Sequence, residues 1–104
     1  MTYFMYDVQG TAVDEPDADT VRKLVQEALA STDTENPDVS LTHASGWSLS
    51  AYAGGLLLWE NVEDEEAAPG SLDQVAEAEV LRLFALLAAG EVDQIAALDW
   101  QRAA

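Results

Sequence analysis

Residues 47 to 62 constrain this chain more than any other stretch. Two runs, Trp47-Ser48-Leu49-Ser50-Ala51-Tyr52 and Leu56-Leu57-Leu58-Trp59-Glu60-Asn61-Val62, flank the pair Gly54-Gly55. A Gly-Gly pair between such runs is a two-residue hairpin signal, because glycine accepts the positive φ that tight hairpin turns demand. A lone hairpin is marginal in water, so these strands must join a larger antiparallel sheet. The two-residue turn also predicts a register. Ala53 opposes Leu56, Ala51 opposes Leu58, Leu49 opposes Glu60 and Trp47 opposes Val62. These residues then share the inward face. Ser48, Ser50, Tyr52, Leu57, Trp59 and Asn61 fall on the other face.

The rest of the chain supplies partners for that hairpin. Residues Thr2 to Val8 alternate, with Phe4, Tyr6 and Val8 on one face, and read as a strand ending at Gly10. Asp14-Glu15-Pro16-Asp17 carries helix-start chemistry. Val21, Leu24, Val25, Ala28 and Leu29 follow the i, i+3, i+4, i+7, i+8 pattern of an amphipathic helix over residues 17–31. Ser31 to Asp38 reads as a polar loop. Val39, Leu41 and His43 alternate with Ser40, Thr42 and Ala44 as another strand. Ser71 reads as an N-cap and Leu72 as the start of a second helix, which ends at Gly90. Its apolar positions are Leu72, Val75, Ala76, Val80, Leu83, Phe84 and Leu87, with Leu81 and Leu86 widening the stripe. Leu98-Asp99-Trp100 reads as a short closing strand. The expected fold is α+β in a single domain spanning residues 1–104: an antiparallel sheet of about four or five strands with two helices packed on one face.

Charge excludes several functions. The 104 residues hold 20 Asp+Glu against 4 Lys+Arg, a formal net charge of -16. Such a surface repels phosphate backbones and anionic lipid, so neither direct nucleic-acid binding nor membrane binding is expected. Hydrophobic residues make up 49% of the chain, which separates it from a disordered acidic tail. Without cysteine, disulfides, thiolate metal sites and thiol catalysis are all ruled out. The N-terminus lacks the basic and apolar regions of a signal peptide, and a cytoplasmic location is expected. The acidity itself has two readings: adaptation to a salty interior, or steering of a basic partner.

No motif points to catalysis. His43 is the single histidine. A Ser–His–Asp arrangement would need Ser45 or Ser48 beside it plus a carboxylate, and no G-x-S-x-G elbow is present. A lone strand histidine reads as structural. No pair spacing suggests zinc, and the acidic run lacks the calcium-loop pattern, so neither metal nor cofactor is expected. The interaction candidates are of another kind. Glu60, Glu63, Asp64, Glu65 and Glu66 form an acidic stretch suited to steering. Tyr52 and Trp59 are expected as partner-binding anchors on the outward hairpin face, together with Leu57. For this trio a second reading stays open, in which the second helix or a dimer mate covers it, or the hairpin register is shifted by one. Trp47 and Trp100 read as core.

The stretch Glu79-Val80-Leu81-Arg82-Leu83-Phe84-Ala85-Leu86-Leu87-Ala88-Ala89-Gly90, followed by Ile95, Leu98 and Trp100, is similar to the ending of a family of small bacterial immunity proteins. These accompany polymorphic toxins, including deaminase-type toxins. The order of strand, amphipathic helix, strand and hairpin resembles that family too. In this chain Glu91-Val92-Asp93-Gln94 stands where the family usually has a Pro, and only an acidic loop stands where extra strands often occur. The resemblance implies a non-catalytic immunity protein that binds and neutralises a cognate toxin, one directed at nucleic acid and therefore basic. Two alternatives remain. One is an acidic DNA mimic that inhibits a nucleic-acid-binding protein. The other is a salt-adapted small domain of unrelated role, for which a homodimer is one form.

Overall fold

Asp17 sets the first helix in place. Its Oδ1 accepts the Thr20 N–H at 2.9 Å, and α1 runs over Ala18–Leu29 behind this cap. Val21, Leu24, Val25 and Ala28 form its buried stripe. In the computed structural model, which describes residues 3–30, 38–64, 66 and 69–102, the described residues form seven strands and three α-helices. They are β1 (Tyr3–Tyr6), β2 (Ala12–Asp14), α1, β3 (Asp38–His43), β4 (Trp47–Tyr52), β5 (Leu57–Asn61), β6 (Gly70–Leu72), α2 (Glu77–Ala88), α3 (Val92–Ala96) and β7 (Gln101–Arg102). The loop expected over Ser31 to Asp38 lies outside the described residues apart from Asp38, which opens β3.

All strand pairings are antiparallel, in the order β2-β1-β3-β4-β5-β6-β7. The helices lie on one face, where α1 and α2 pack against each other and against β3 and β4. The fold is therefore α+β, as expected, with more strands than expected. The core holds Met5, Val39, Leu41, Leu49, Ala51, Leu57 and Trp59 from the sheet. From α2 come Val80, Leu83, Phe84 and Leu87, and from α3 comes Ile95. No helix among the described residues is long and apolar enough to cross a membrane.

The hairpin departs from the expected register. Its loop has three residues, Ala53-Gly54-Gly55, because the Tyr52 N–H donates to the Leu56 carbonyl at 2.8 Å. Gly54 (φ +82) and Gly55 (φ +90) absorb the turn. One extra loop residue shifts every pairing by one. Ala51 opposes Leu57, Leu49 opposes Trp59 and Trp47 opposes Asn61. Because side chains alternate with period two, the shift turns Leu57 and Trp59 inward and Leu58 and Glu60 outward. Trp59 is thus a core residue at 1% exposure, not an outward anchor. It stacks between Trp47 (centroids 4.6 Å, planes 7° apart) and Trp100 (5.9 Å, 16°).

Two boundaries also move. Ser71 caps no helix. Gly70–Leu72 pairs with β5, placing Leu72 opposite Leu57. The chain then turns through Gln74 (φ +55), the Val75 N–H donates to the Gly55 carbonyl at 2.9 Å, and α2 begins at Glu77. Its far end is as expected. Gly90 (φ +80) closes a Schellman turn, with Gly90 N–H on the Leu87 carbonyl and Glu91 N–H on that of Leu86, both at 2.9 Å. The last strand begins after Trp100, not at Leu98. Trp100 is buried, and its indole N–H donates to the Ile95 carbonyl at 2.8 Å.

Candidate functional site

The helices cover one face of the sheet, and no described element covers the other. Alternation places Phe4 and Tyr6 of β1, Ser40 and Thr42 of β3, Ser48 and Ser50 of β4, and Leu58 of β5 on that open face. The pairing gives two cross-strand rows. Phe4, Thr42, Ser48 and Glu60 form one, and Tyr6, Ser40, Ser50 and Leu58 the other. Small hydroxyl residues thus fill the middle of both rows, with larger side chains on either side, and the next pair on β3 and β4 is Asp38 and Tyr52. Ser48 and Ser50 are only 4% and 7% exposed although nothing described lies over them. Their taller neighbours shelter them. Thr42 Oγ1 and Ser48 Oγ are hydrogen-bonded at 3.1 Å, so part of this floor is already paired. Phe4 and Tyr6 meet edge to face at 5.3 Å, and Tyr6 remains 43% exposed.

Carboxylates border the face. Asp14 pairs with Phe4, Asp38 with Tyr52, and Glu60 with Ser48. Burial raises the pKa of Asp38 above the ordinary carboxylate value. The pKa of Tyr52 is raised by burial first, and then by the nearby charges of Asp38 and Glu60. Tyr52 therefore keeps its phenolic proton throughout the neutral range and can donate it in a hydrogen bond. Strands β1 to β6 contain no Lys or Arg. Arg22 and Lys23 lie on α1 and Arg82 on α2, behind the sheet. Arg22 pairs with Asp19 and Arg82 with Glu79. The charge is therefore segregated among the described side chains, with the open face acidic, and the fourth basic residue, Arg102, belongs to the edge strand β7.

The expected site residues divide accordingly. Tyr52 and Glu60 share the open face. Glu63, Asp64 and Glu66 are exposed in the turn after β5. That turn is ordered by Asn61, whose Oδ1 accepts the N–H groups of Glu63 (2.9 Å) and Asp64 (3.1 Å). It lies at the end of β5 opposite the hairpin loop, so Glu63, Asp64 and Glu66 do not cluster with Tyr52, whereas Glu60 shares its face. Glu65 lies outside the described residues. Trp59 and Leu57 leave the site altogether. Phe4, Tyr6, Asp38 and Leu58 join it. For Leu58 the missing signal was the hairpin register. For Phe4 and Tyr6 the shared face was readable, but nothing in the sequence said which side the helices cover.

His43 does meet Ser45. Its Nδ1 accepts the Ser45 N–H at 3.1 Å and lies 2.9 Å from the Ser45 hydroxyl. The same turn is closed by the Gly46 N–H on the His43 carbonyl at 2.9 Å. Nδ1 therefore serves as a turn acceptor, and among the described residues no carboxylate is hydrogen-bonded to the ring. Ser48 is bonded to Thr42 instead. Among the described residues no group of three or more His, Asp or Glu side chains is arranged to hold a metal ion. A separate groove of about 500 Å³ opens on the helix side, with Pro16, Val21, Leu81, Ala85 and Ala88 among its walls. Its lining is largely apolar, with Asp19 and Arg22 as its charged members, and the polar groups of the open face lie on the opposite side of the sheet. Comparison with protein-family models, curated proteins and solved structures found no match.

Proposed function

We propose that this protein is a non-catalytic binding protein that neutralises a basic partner, of the kind an immunity protein would meet in a nucleic-acid-directed bacterial toxin. The observation that carries this reading is charge segregation on an uncovered sheet face. Asp14, Asp38 and Glu60 border the aromatic and hydroxyl side chains of that face, and the described cationic side chains lie on helices behind it. A toxin that acts on nucleic acid needs a positive cleft, and an acidic face is complementary to one. The carboxylates set encounter rate, and the aromatic tips, which desolvate on contact, set the dissociation rate. The turn carrying Glu63, Asp64 and Glu66 adds to the field without touching the anchors. The similarity of the C-terminal helix and its Gly ending to small immunity proteins supports the same reading.

The test is co-purification from the native cell with two baits, the wild-type protein and a Tyr52→Ala, Glu60→Lys variant. The expected result is one stoichiometric partner, held by the wild type and lost by the variant. Adding the wild-type protein to that purified partner should suppress its toxicity. A partner that is a DNA-binding protein rather than a toxin would favour a DNA mimic. Recovery of the bait alone from both cultures would leave the acidity to habitat.

A further inference from the structure

We propose that the open face receives an α-helix of the partner, laid in a trough along β3 and β4, with basic residues on the flanks of that helix. This rests on the binding-face reading above and adds the shape of what binds. Ser40, Thr42, Ser48 and Ser50 floor the trough. Phe4 and Tyr6 on β1 form one wall, and Leu58 and Glu60 on β5 form the other. The two wall strands are three strand spacings apart, about 14 Å. The wall side chains take part of that width, and a helix backbone, with Cα atoms on a cylinder of about 2.3 Å radius, fits in what is left, where the floor of small residues lets it come close. β3 and β4 have six residues each, about 20 Å of sheet for a helix to lie along, and the hydroxyl floor between them seats about one turn before the Asp38 and Tyr52 pair.

The edge of the sheet is the usual place for an added strand, whereas its face packs against another sheet or against helices, and a floor of small residues between taller walls suits a single helix. This sheet already does so on its other side, where α1 and α2 cross β3 and β4. Charge selects the chemistry of the occupant. Glu60 stands in one wall. Asp38 lies at the hairpin end of the floor beside Tyr52, and Asp14 stands outside Phe4. A helix with Lys or Arg on both flanks and small or apolar residues underneath satisfies both the floor and the walls. Two copies of this chain do not pair through their open faces, because both faces carry the same sign.

The probe is a fluorescent synthetic peptide of about 20 residues, with an Ala/Leu stripe flanked by Lys. Its control has the same length and charge, with two interior residues exchanged for prolines, which break the helix. Binding is read by anisotropy at about 150 mM salt, where long-range attraction is largely screened. Amide chemical shifts of the labelled protein locate it. The helical peptide should bind at least about tenfold tighter than the proline peptide and shift residues 40, 42, 48 and 50. Ser50→Arg, which fills the floor, should abolish binding, while Ala85→Arg in the helix-side groove should leave it intact. Tyr6→Ala, at an exposed wall position that cannot unfold the core, should weaken it about tenfold.

Equal binding of both peptides, with shifts still in the trough, would overturn the helix and leave the binding-face reading standing. Shifts confined to residues 61–66, or loss of binding in Ala85→Arg alone, would overturn the trough. Absence of saturable binding by the helical peptide would overturn it too. Capture of a native partner through Tyr52 and Glu60 would still uphold the proposed function in that case.

Discussion

Trp59 lies between two other indoles at the centre of the closed face, and this position decides what its loss does. An aromatic ring buried to 1% exposure leaves a large cavity when truncated. Trp59→Ala should therefore cost about 3–5 kcal/mol of stability. Urea denaturation followed by circular dichroism measures this. A loss below about 1 kcal/mol would place Trp59 at the surface after all. Asp38 makes the opposite case, a charged residue that burdens the fold. Its raised pKa means that the folded chain holds the proton more tightly than the unfolded chain does. Between the ordinary carboxylate value and the raised one, the folded state binds more protons. Stability therefore falls as pH rises through that window, and the deficit persists at neutral pH. Asp38→Asn should stabilise the protein at neutral pH, and its advantage should shrink once acid protonates Asp38 in the wild type. Paired urea titrations at neutral and acidic pH check both halves. A bound cation would relieve the same burden, which gives this half-buried carboxylate a physical reason to sit on a binding face.

The hairpin loop controls the faces of β4 and β5, and its two glycines are not equivalent. Both have positive φ, so alanine strains either of them by about 1 kcal/mol. At Gly54 an added Cβ meets nothing within 4 Å. At Gly55 it would sit 2.5 Å from the Val75 carbonyl oxygen and 2.9 Å from the Val75 nitrogen, backbone atoms that cannot swing away. Gly55→Ala should therefore destabilise the protein clearly more than Gly54→Ala, and thermal melts of the two variants settle the order. Equal losses would mean that the 73–76 segment does not dock on this loop. The same loop explains what was legible in the sequence. α1 and the body of α2 are long enough for their 3.6-residue pattern to stand out, and Gly90 marked the end of α2. The strands β2, β6 and β7 have three, three and two residues, too few to display alternation. Leu72, Val75 and Ala76 mimicked the stripe of α2 because they follow the i, i+3, i+4 pattern and Ala76 precedes Val80 by four residues, although Leu72 belongs to the sheet. The acidity of the site was legible by counting. Its face was not, because a loop of two or of three residues reverses which side every residue of β5 takes.

At the scale of the whole molecule, the net charge of -16 acts over a body 31 Å long. At about 0.01 M salt the Debye length is about 30 Å, so each carboxylate feels almost every other. At about 0.15 M it is about 8 Å, and only near neighbours still repel. If the acidity serves a basic partner, the surface needs no more salt than a cell supplies. Thermal stability should then rise between about 0.01 and 0.15 M KCl and flatten well before about 1 M, where screening has reached about 3 Å and has little left to remove. A melting temperature that keeps climbing into molar salt would require something other than screening, and would return the acidity to a saline habitat. Partner binding should move the other way over the same range. Screening that relieves the free protein weakens its attraction to a basic surface, so affinity should fall while stability rises. The Glu63, Asp64 and Glu66 turn gives a way to separate these effects. Neutralising the three leaves the described core residues untouched, so it should slow association and flatten its salt dependence with little change in melting temperature at about 0.15 M. An association rate unaffected by that change would remove the turn from the steering field and leave the carboxylates of the open face to act alone.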